Sequence, residues 1–173
     1  MRLYLNDKLI GEKPTGRDQA FKAEFEVPFA SGTLRAEGIR SGKVVAQIFL
    51  QTAGDPIGIK LTADRTVLDA NGEDLSFVTV EAVDEKGRLQ MNADQKLHFT
   101  VARAATIAAV GSGNGESEES YSGNTFNLFH GRVLVVLRTT RKPGPIKLTV
   151  EADGLAASFV SVESKSSQPM PEL

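Results

Sequence analysis

The chain has 173 residues, with 20 Lys and Arg against 22 Asp and Glu, a net charge of −2, a 40% hydrophobic fraction, no Cys and no Trp. The lack of Cys excludes disulfides, thiolate metal sites and Cys nucleophiles, and charge mixed evenly along the chain, without a basic stripe, argues against a nucleic-acid partner. No apolar run approaches the ~20 residues of a transmembrane helix, so no membrane partner is expected, and Met1–Leu5 lacks the charged and apolar regions of a signal peptide.

Taken in chain order, Arg2 to Leu5 reads as a short strand, Asn6-Asp7-Lys8 as its turn and Leu9 to Lys13 as the returning strand. This hairpin begins abruptly at Met1, so a preceding strand is expected to complete the first unit. Thr15 to Gln19 is a polar loop. From Ala20 to Val27, Phe21, Ala23, Phe25 and Val27 alternate with Lys22, Glu24 and Glu26, the pattern of a strand with one wet face and one that buries Phe25. Thr33–Arg40 and Lys43–Gln51 form a hairpin through Ser41-Gly42. The Gly and Pro of Thr52-Ala53-Gly54-Asp55-Pro56 mark a linker.

Beyond it, Ile57, Ile59 and Leu61 alternate with polar residues, and Asn71-Gly72 turns into a strand whose Val78, Val80 and Ala82 share one face. Phe77 breaks that alternation but is expected to be buried. Gln95–Val101 and Ala104–Val110 are strands, and Gly111 to Asn124 is a polar loop. Val133-Leu134-Val135-Val136-Leu137 is a continuous apolar run that suits a strand buried on both sides. Lys142-Pro143-Gly144-Pro145 is a turn, Ile146–Val150 and Ala156–Val162 are the last strands, and Ser164 onward is a disordered tail.

No stretch of ten residues carries a 3.6-residue period, and turn signals recur at the spacing of a sandwich. The expected fold is all-β, with two consecutive immunoglobulin-like β-sandwich units. Residues 1–54 form a short, incomplete first unit, residues 55–163 a full sandwich and residues 164–173 the tail.

The chemistry-bearing residues are sparse. Asp69, Glu73 and Asp74, and also Glu116, Glu118 and Glu119, cluster in turn or loop sequence, where solvated turn acids are the expected reading. Asp69-x-Asn71 starts like a calcium loop, but Gly72 comes two positions too early and the twelfth position is Val80, so an Asx-type turn is expected, with a looser calcium site as the minor alternative. Gly111-Ser112-Gly113-Asn114-Gly115-Glu116 lacks the third glycine of a dinucleotide loop. His98 and His130 are the only histidines and take structural roles by default. Tyr121, with Asn114, Glu116 and Asn124 in the polar loop, is the candidate contact group for a sugar or a neighbouring domain. No catalytic residue, metal site or cofactor is expected.

The segments Leu3–Gly11, Val27–Ala36 and Gln51–Gly54 resemble, in order and spacing, the region that follows the catalytic barrel in bacterial β-galactosidases of glycoside hydrolase family 2. Asp69–Val80, Val110–Gly115 and Phe129–Arg132 are similar to that family's C-terminal immunoglobulin-like domain, while Asp7 stands where the family usually has Gly. The resemblance implies that the catalytic glutamates belong to an upstream (β/α)8 barrel. This chain is then a non-catalytic accessory region whose partner is the barrel of the same polypeptide, with carbohydrate as a second partner. An independent carbohydrate-binding module and an immunoglobulin-like cell-surface adhesion module are the alternatives. The low aromatic content weighs against the first, and the non-identical halves weigh against the second.

Overall fold

The structure, a computed structural model, describes residues 1–166 and is all-β apart from one 3-10 turn at Arg17–Gln19. It divides into two compact units, Met1–Thr52 and Ala53 onward.

The first unit is a four-stranded antiparallel sheet of β1 (Arg2–Leu5), β2 (Lys8–Glu12), β3 (Thr33–Arg40) and β4 (Lys43–Gln51), in the order β2-β1-β3-β4. Its two hairpins close through left-handed pairs, Asn6-Asp7 and Ser41-Gly42, the conformation that matches the twist of the flanking strands. Asn6 adds side-chain bonds, accepting from the Thr33 amide at 2.9 Å and donating to the Ser31 carbonyl at 3.0 Å. One sheet face carries a polar cluster: Arg35 stacks 4.0 Å over the Tyr4 ring, and the buried Glu37 carboxylate accepts from Arg35 and from Gln47 at 3.0 Å.

The strand expected over Ala20–Val27 is not there. The chain passes through left-handed Ala20 and Phe21, the Phe21 ring is 71% exposed, and residues 22–30 form no regular secondary structure and no ladder. Alternate burial survives at Ala23, Phe25 and Val27, but Phe25 is only half-buried. Alternation dictates which side chains face inward; a strand also needs a neighbouring backbone to pair with.

The second unit is an immunoglobulin-like β-sandwich. One layer has the order β5 (Gly58–Ala63), β7 (Leu75–Val83), β11 (Arg132–Thr139), β9 (Ala105–Gly111). The other runs β10 (Thr125–Asn127), β8 (Lys96–Arg103), β12 (Gly144–Ala152), β13 (Leu155–Lys165), with β6 (Val67–Asp69) also paired to β13. A short parallel pairing of Ala156 with Gly58 joins the layers at one edge. Val78, Val80 and Ala82 of β7 and Val133, Val135 and Leu137 of β11 face Leu97, Phe99, Ile146, Leu148 and Val150 in one continuous core, and none is more than 2% exposed. Phe77 points the other way and is 42% exposed, against the expectation of burial, because the period-2 geometry that buries Val78 and Val80 directs it outward.

β13 continues two residues past Glu163 to Lys165, held by Ser164, whose hydroxyl accepts from the Gly144 amide and donates to the Gly144 carbonyl, both at 3.2 Å. The remainder of the expected tail, residues 167–173, lies outside the described residues.

Gly54 is tied at both backbone groups, its amide to Asp84 Oδ2 at 2.9 Å and its carbonyl to Gln90 Nε2 at 2.8 Å. Asp84 is buried at the end of β7. It also accepts from the Lys86 and Arg88 amides, each at 2.9 Å, and from the Arg88 guanidinium at 2.7 Å and 2.8 Å. Burial pushes this carboxyl up, but the amides and the guanidinium outweigh burial and hold it far below the usual carboxylate range.

Two predictions follow from this packing. Leu148→Ala, at a site with no exposed surface, is expected to cost ~2–5 kcal/mol in urea unfolding. Asp84 has a depressed folded pKa, so its stabilisation is complete above its unfolded value near ~3.9 and fades as the pH falls below that. Asp84→Asn should therefore be less stable than the native chain by a constant margin between about pH 5 and 8, narrowing as the pH drops from about 4 toward 2.

Candidate functional site

The outer face of the β5-β7-β11-β9 layer carries the most distinctive surface of the second unit. Cross-strand register places Val136 opposite Phe77 and Ala109, and Leu134 opposite Thr79 and Gly111. Leu134 is 38% exposed and Val136 half-buried, so β11 is buried on one side only within this chain, not on both as its composition predicts. Among the described residues, no further layer covers this face.

Tyr121 stands over one end of that row, beside a shallow hollow of about 510 Å³ that Leu134, Val136, Ala109 and Arg132 help to line. Three features place its ring. The Tyr121 carbonyl accepts from the Val110 amide at 2.8 Å, its ring stacks on buried Phe126 at 5.8 Å between centroids, and Gly111 leaves room beneath it. A Cβ on Gly111 would sit 3.1 Å from Tyr121 Cδ1, closer than ordinary van der Waals contact, so the glycine is what lets the ring lie down on β9.

The rim is charged. Arg132 Nε reaches Glu81 Oε1 at 2.9 Å and Lys60 Nζ reaches Glu81 Oε2 at 3.3 Å. Burial raises the Glu81 carboxyl, and these two cations more than compensate, holding it below its ordinary value.

The four loop residues singled out in the sequence are not gathered together. Asn114 and Glu116 line a separate polar hollow of about 540 Å³ with Asp94, Ser117 and Glu119. Asn114 Oδ1 accepts from the Glu116 amide at 3.0 Å in an Asx turn, and both Glu119 oxygens accept from the Asn127 amide at 3.2 Å. Tyr121 faces the apolar hollow instead. Asn124 is exposed, and its carbonyl accepts from the Phe99 amide at 2.8 Å, which fixes the loop to β8. Phe77, Leu134, Val136, Arg132 and Glu81 did not stand out as site residues. Their signals were the unbroken apolar run of β11 and the misfit of Phe77 in its alternation.

The Asp69–Asp74 turn acids hold the turn. Asn71 Oδ1 accepts from the Glu73 and Asp74 amides, each at 2.8 Å, the Asx turn expected there, and Gly72 supplies the left-handed step at φ 86°. Asp74 is not solvated as expected: it accepts from the Asp69 amide at 2.8 Å, the Leu75 amide at 2.9 Å and Arg65 Nη2 at 2.8 Å, and these partners lower its pKa. His98 and His130 are exposed, and His130 lies edge-on to Phe129 in the left-handed turn that precedes Arg132.

The larger unit is thus an immunoglobulin-like sandwich that leaves Phe77, Leu134 and Val136 on the outer face of one layer. Residues 59–161 match the family described as glycoside hydrolase family 2 C-terminal domain 5, and the chain belongs to that family. Residues 1–46 match a domain of unknown function, DUF4982.

A beta-galactosidase of Bacteroides ovatus is 40% identical over 165 residues, which are 95% of this chain and 19% of that protein. A beta-glucuronidase of Formosa agariphila is 26% identical over 95% of this chain and 17% of its own length. Among solved structures, a glycosyl hydrolase family 2 member from Bacteroides cellulosilyticus superposes with a TM-score of 0.90 at 33% identity, over 95% of this chain and 21% of that one. The chain thus spans about a fifth of the length of the relatives it matches.

Gly111→Ala is expected to displace the Tyr121 ring and weaken the NMR contacts between the Tyr121 and Phe126 rings, with the β9–β11 ladder unchanged.

Proposed function

We propose that the chain is the non-catalytic C-terminal accessory region of a β-galactosidase-like family 2 hydrolase, packed beside the catalytic barrel of the same polypeptide and bordering its substrate cleft. The observation that carries this reading is the asymmetry of the matches, which take in 95% of this chain but 19% of the Bacteroides ovatus beta-galactosidase. The row of Phe77, Leu134 and Val136 is the surface suited to packing against a neighbouring domain, since an apolar face of this kind is unfavourable in water.

The chemistry of the acids supports an accessory role. Retaining glycoside hydrolysis takes two carboxyls about 5–5.5 Å apart across the sugar, one of them with a raised pKa. Asp74, Glu81 and Asp84 are each shifted the opposite way and are engaged by structural donors. A second role, sugar contact at Tyr121 of the loop, without Asn114 and Glu116, which line a separate hollow, is favoured by the 54% exposure of the Tyr121 ring beside an apolar hollow with a charged rim.

The test is a chromogenic galactoside assay on the 173-residue chain and on the full-length polypeptide of its gene. The chain alone should show no turnover, and the full-length protein should hydrolyse the substrate. Turnover by the chain alone that Glu116→Gln abolishes would overturn the reading.

A further inference from the structure

The tripeptide Asn-Gly-Glu occurs twice, at Asn71-Gly72-Glu73 and at Asn114-Gly115-Glu116. In an Asn-Gly pair no side chain on the second residue shields the Asn carboxamide carbon from the backbone nitrogen that follows it. The two copies therefore have the same intrinsic chemistry, and both asparagines form Asx turns. The fold holds them very differently.

Asn71 is clamped. Its Oδ1 accepts from the Glu73 and Asp74 amides, each at 2.8 Å. The turn is pinned on both sides: the Ala70 amide donates to the Lys165 carbonyl at 2.7 Å, and the Asp74 carbonyl accepts from the Thr139 amide at 2.9 Å. Gly72 is left-handed and backed by Arg141, whose Cγ would lie 3.3 Å from a Cβ placed there.

Asn114 is loosely held. Its Oδ1 accepts one amide, that of Glu116, at 3.0 Å. The other bonds of the turn are long, with the Ser117 amide 3.3 Å from the Asn114 carbonyl and the Asn114 amide 3.3 Å from Ser112 Oγ. Gly113 and Gly115 flank it, both exposed, and nothing lies within 4 Å of a Cβ placed on Gly115.

We propose that Asn114 is a site of spontaneous deamidation and that the fold protects Asn71 from the same reaction. The Gly115 nitrogen attacks Asn114 Cγ and forms a C–N bond. The Cγ–Nδ2 bond breaks, and the side-chain nitrogen leaves as ammonia, taking up the Gly115 amide proton. Water then opens the cyclic imide at one of its two carbonyls, giving aspartate or isoaspartate. Ring closure takes the Asn ψ and χ1 out of their Asx-turn values, so the bonds that hold the turn are given up first. Asn114 gives up one such side-chain bond in a loose loop, and Asn71 gives up two in a pinned turn. The extra bond alone slows Asn71 by about fivefold. Either product places a new carboxylate in the hollow already lined by Asp94, Glu116 and Glu119. Isoaspartate also lengthens the main chain of the loop that carries Tyr121.

The test holds the 173-residue chain at mildly alkaline pH, in native buffer and in urea, and follows both sites by peptide mapping with isoaspartate detection. In native buffer Asn114 should convert first, with Asn71 slower by about fivefold or more. In urea the two should convert at similar rates, because their tripeptides are identical. Gly115→Ala, at a position with room for the added methyl, should lose most of the conversion at Asn114 while the amides of β7 and β11 keep their protection from hydrogen exchange. Asn71 converting as fast as Asn114 in native buffer would overturn the inference. So would an Asn114 that converts only in urea, or whose conversion Gly115→Ala leaves unchanged.

Discussion

The second unit depends on the facing of two apolar stripes. Val78, Val80 and Ala82, and Val133, Val135 and Leu137, close against Leu97, Phe99, Ile146, Leu148 and Val150. A slip of one residue in either β7 or β11 would turn a whole stripe to solvent, so the burial of these side chains also sets the register of the ladders. Everything on the outer face inherits its place from that register. Phe77 sits beside Val136, and Leu134 beside Gly111 and the Tyr121 hollow, because their neighbours in sequence are committed to the core.

Around that core, carboxylates act as ties. Asp84 joins the incoming Gly54 to the turn after β7, Asp74 joins the Asp69 amide and Arg65 across the turn before it, and Asp64 accepts from the Ser76 hydroxyl and the Phe77 amide at its start. Each is an acceptor-only group that satisfies backbone amides at the ends of strands or in turns. Each is held in its charged form by those amides, which is the opposite of the electrostatic arrangement that a catalytic acid needs.

The first unit contrasts with this. Its sheet has one face that carries the polar cluster of Tyr4, Arg35, Glu37 and Gln47, and one apolar face covered only in part. A chain of its length buries a smaller fraction of its apolar surface than a full sandwich does, and Ile48 and Leu50 carry what is left open. The apolar surfaces of the two units are thus of different kinds. One is the outer face of a sandwich layer, and the other is a face of a single four-stranded sheet that is covered only in part.

Much of this was legible in the sequence, because period-2 alternation and turn dipeptides are local signals. The hairpins at Asn6-Asp7 and Ser41-Gly42, the core stripe of β7 and the Asx turn at Asn71 all follow from residues within a few positions of one another. The resemblance carried by Leu3–Gly11 and Asp69–Val80 was legible for the same reason, and the family match over residues 59–161 together with the relatives that span 95% of the chain bears it out. What required tertiary structure was whatever depends on a distant neighbour. Alternation at Ala20–Val27 could not reveal that no backbone lies alongside to pair with it, and the apolar run of β11 could not reveal that only one of its faces is covered by this chain. The loop residues Asn114, Glu116, Tyr121 and Asn124 are close in sequence, yet Tyr121 points to one hollow and Asn114 and Glu116 to another. A polar loop has no periodicity to direct its side chains; contacts with β8, β9 and Phe126 decide where each one faces.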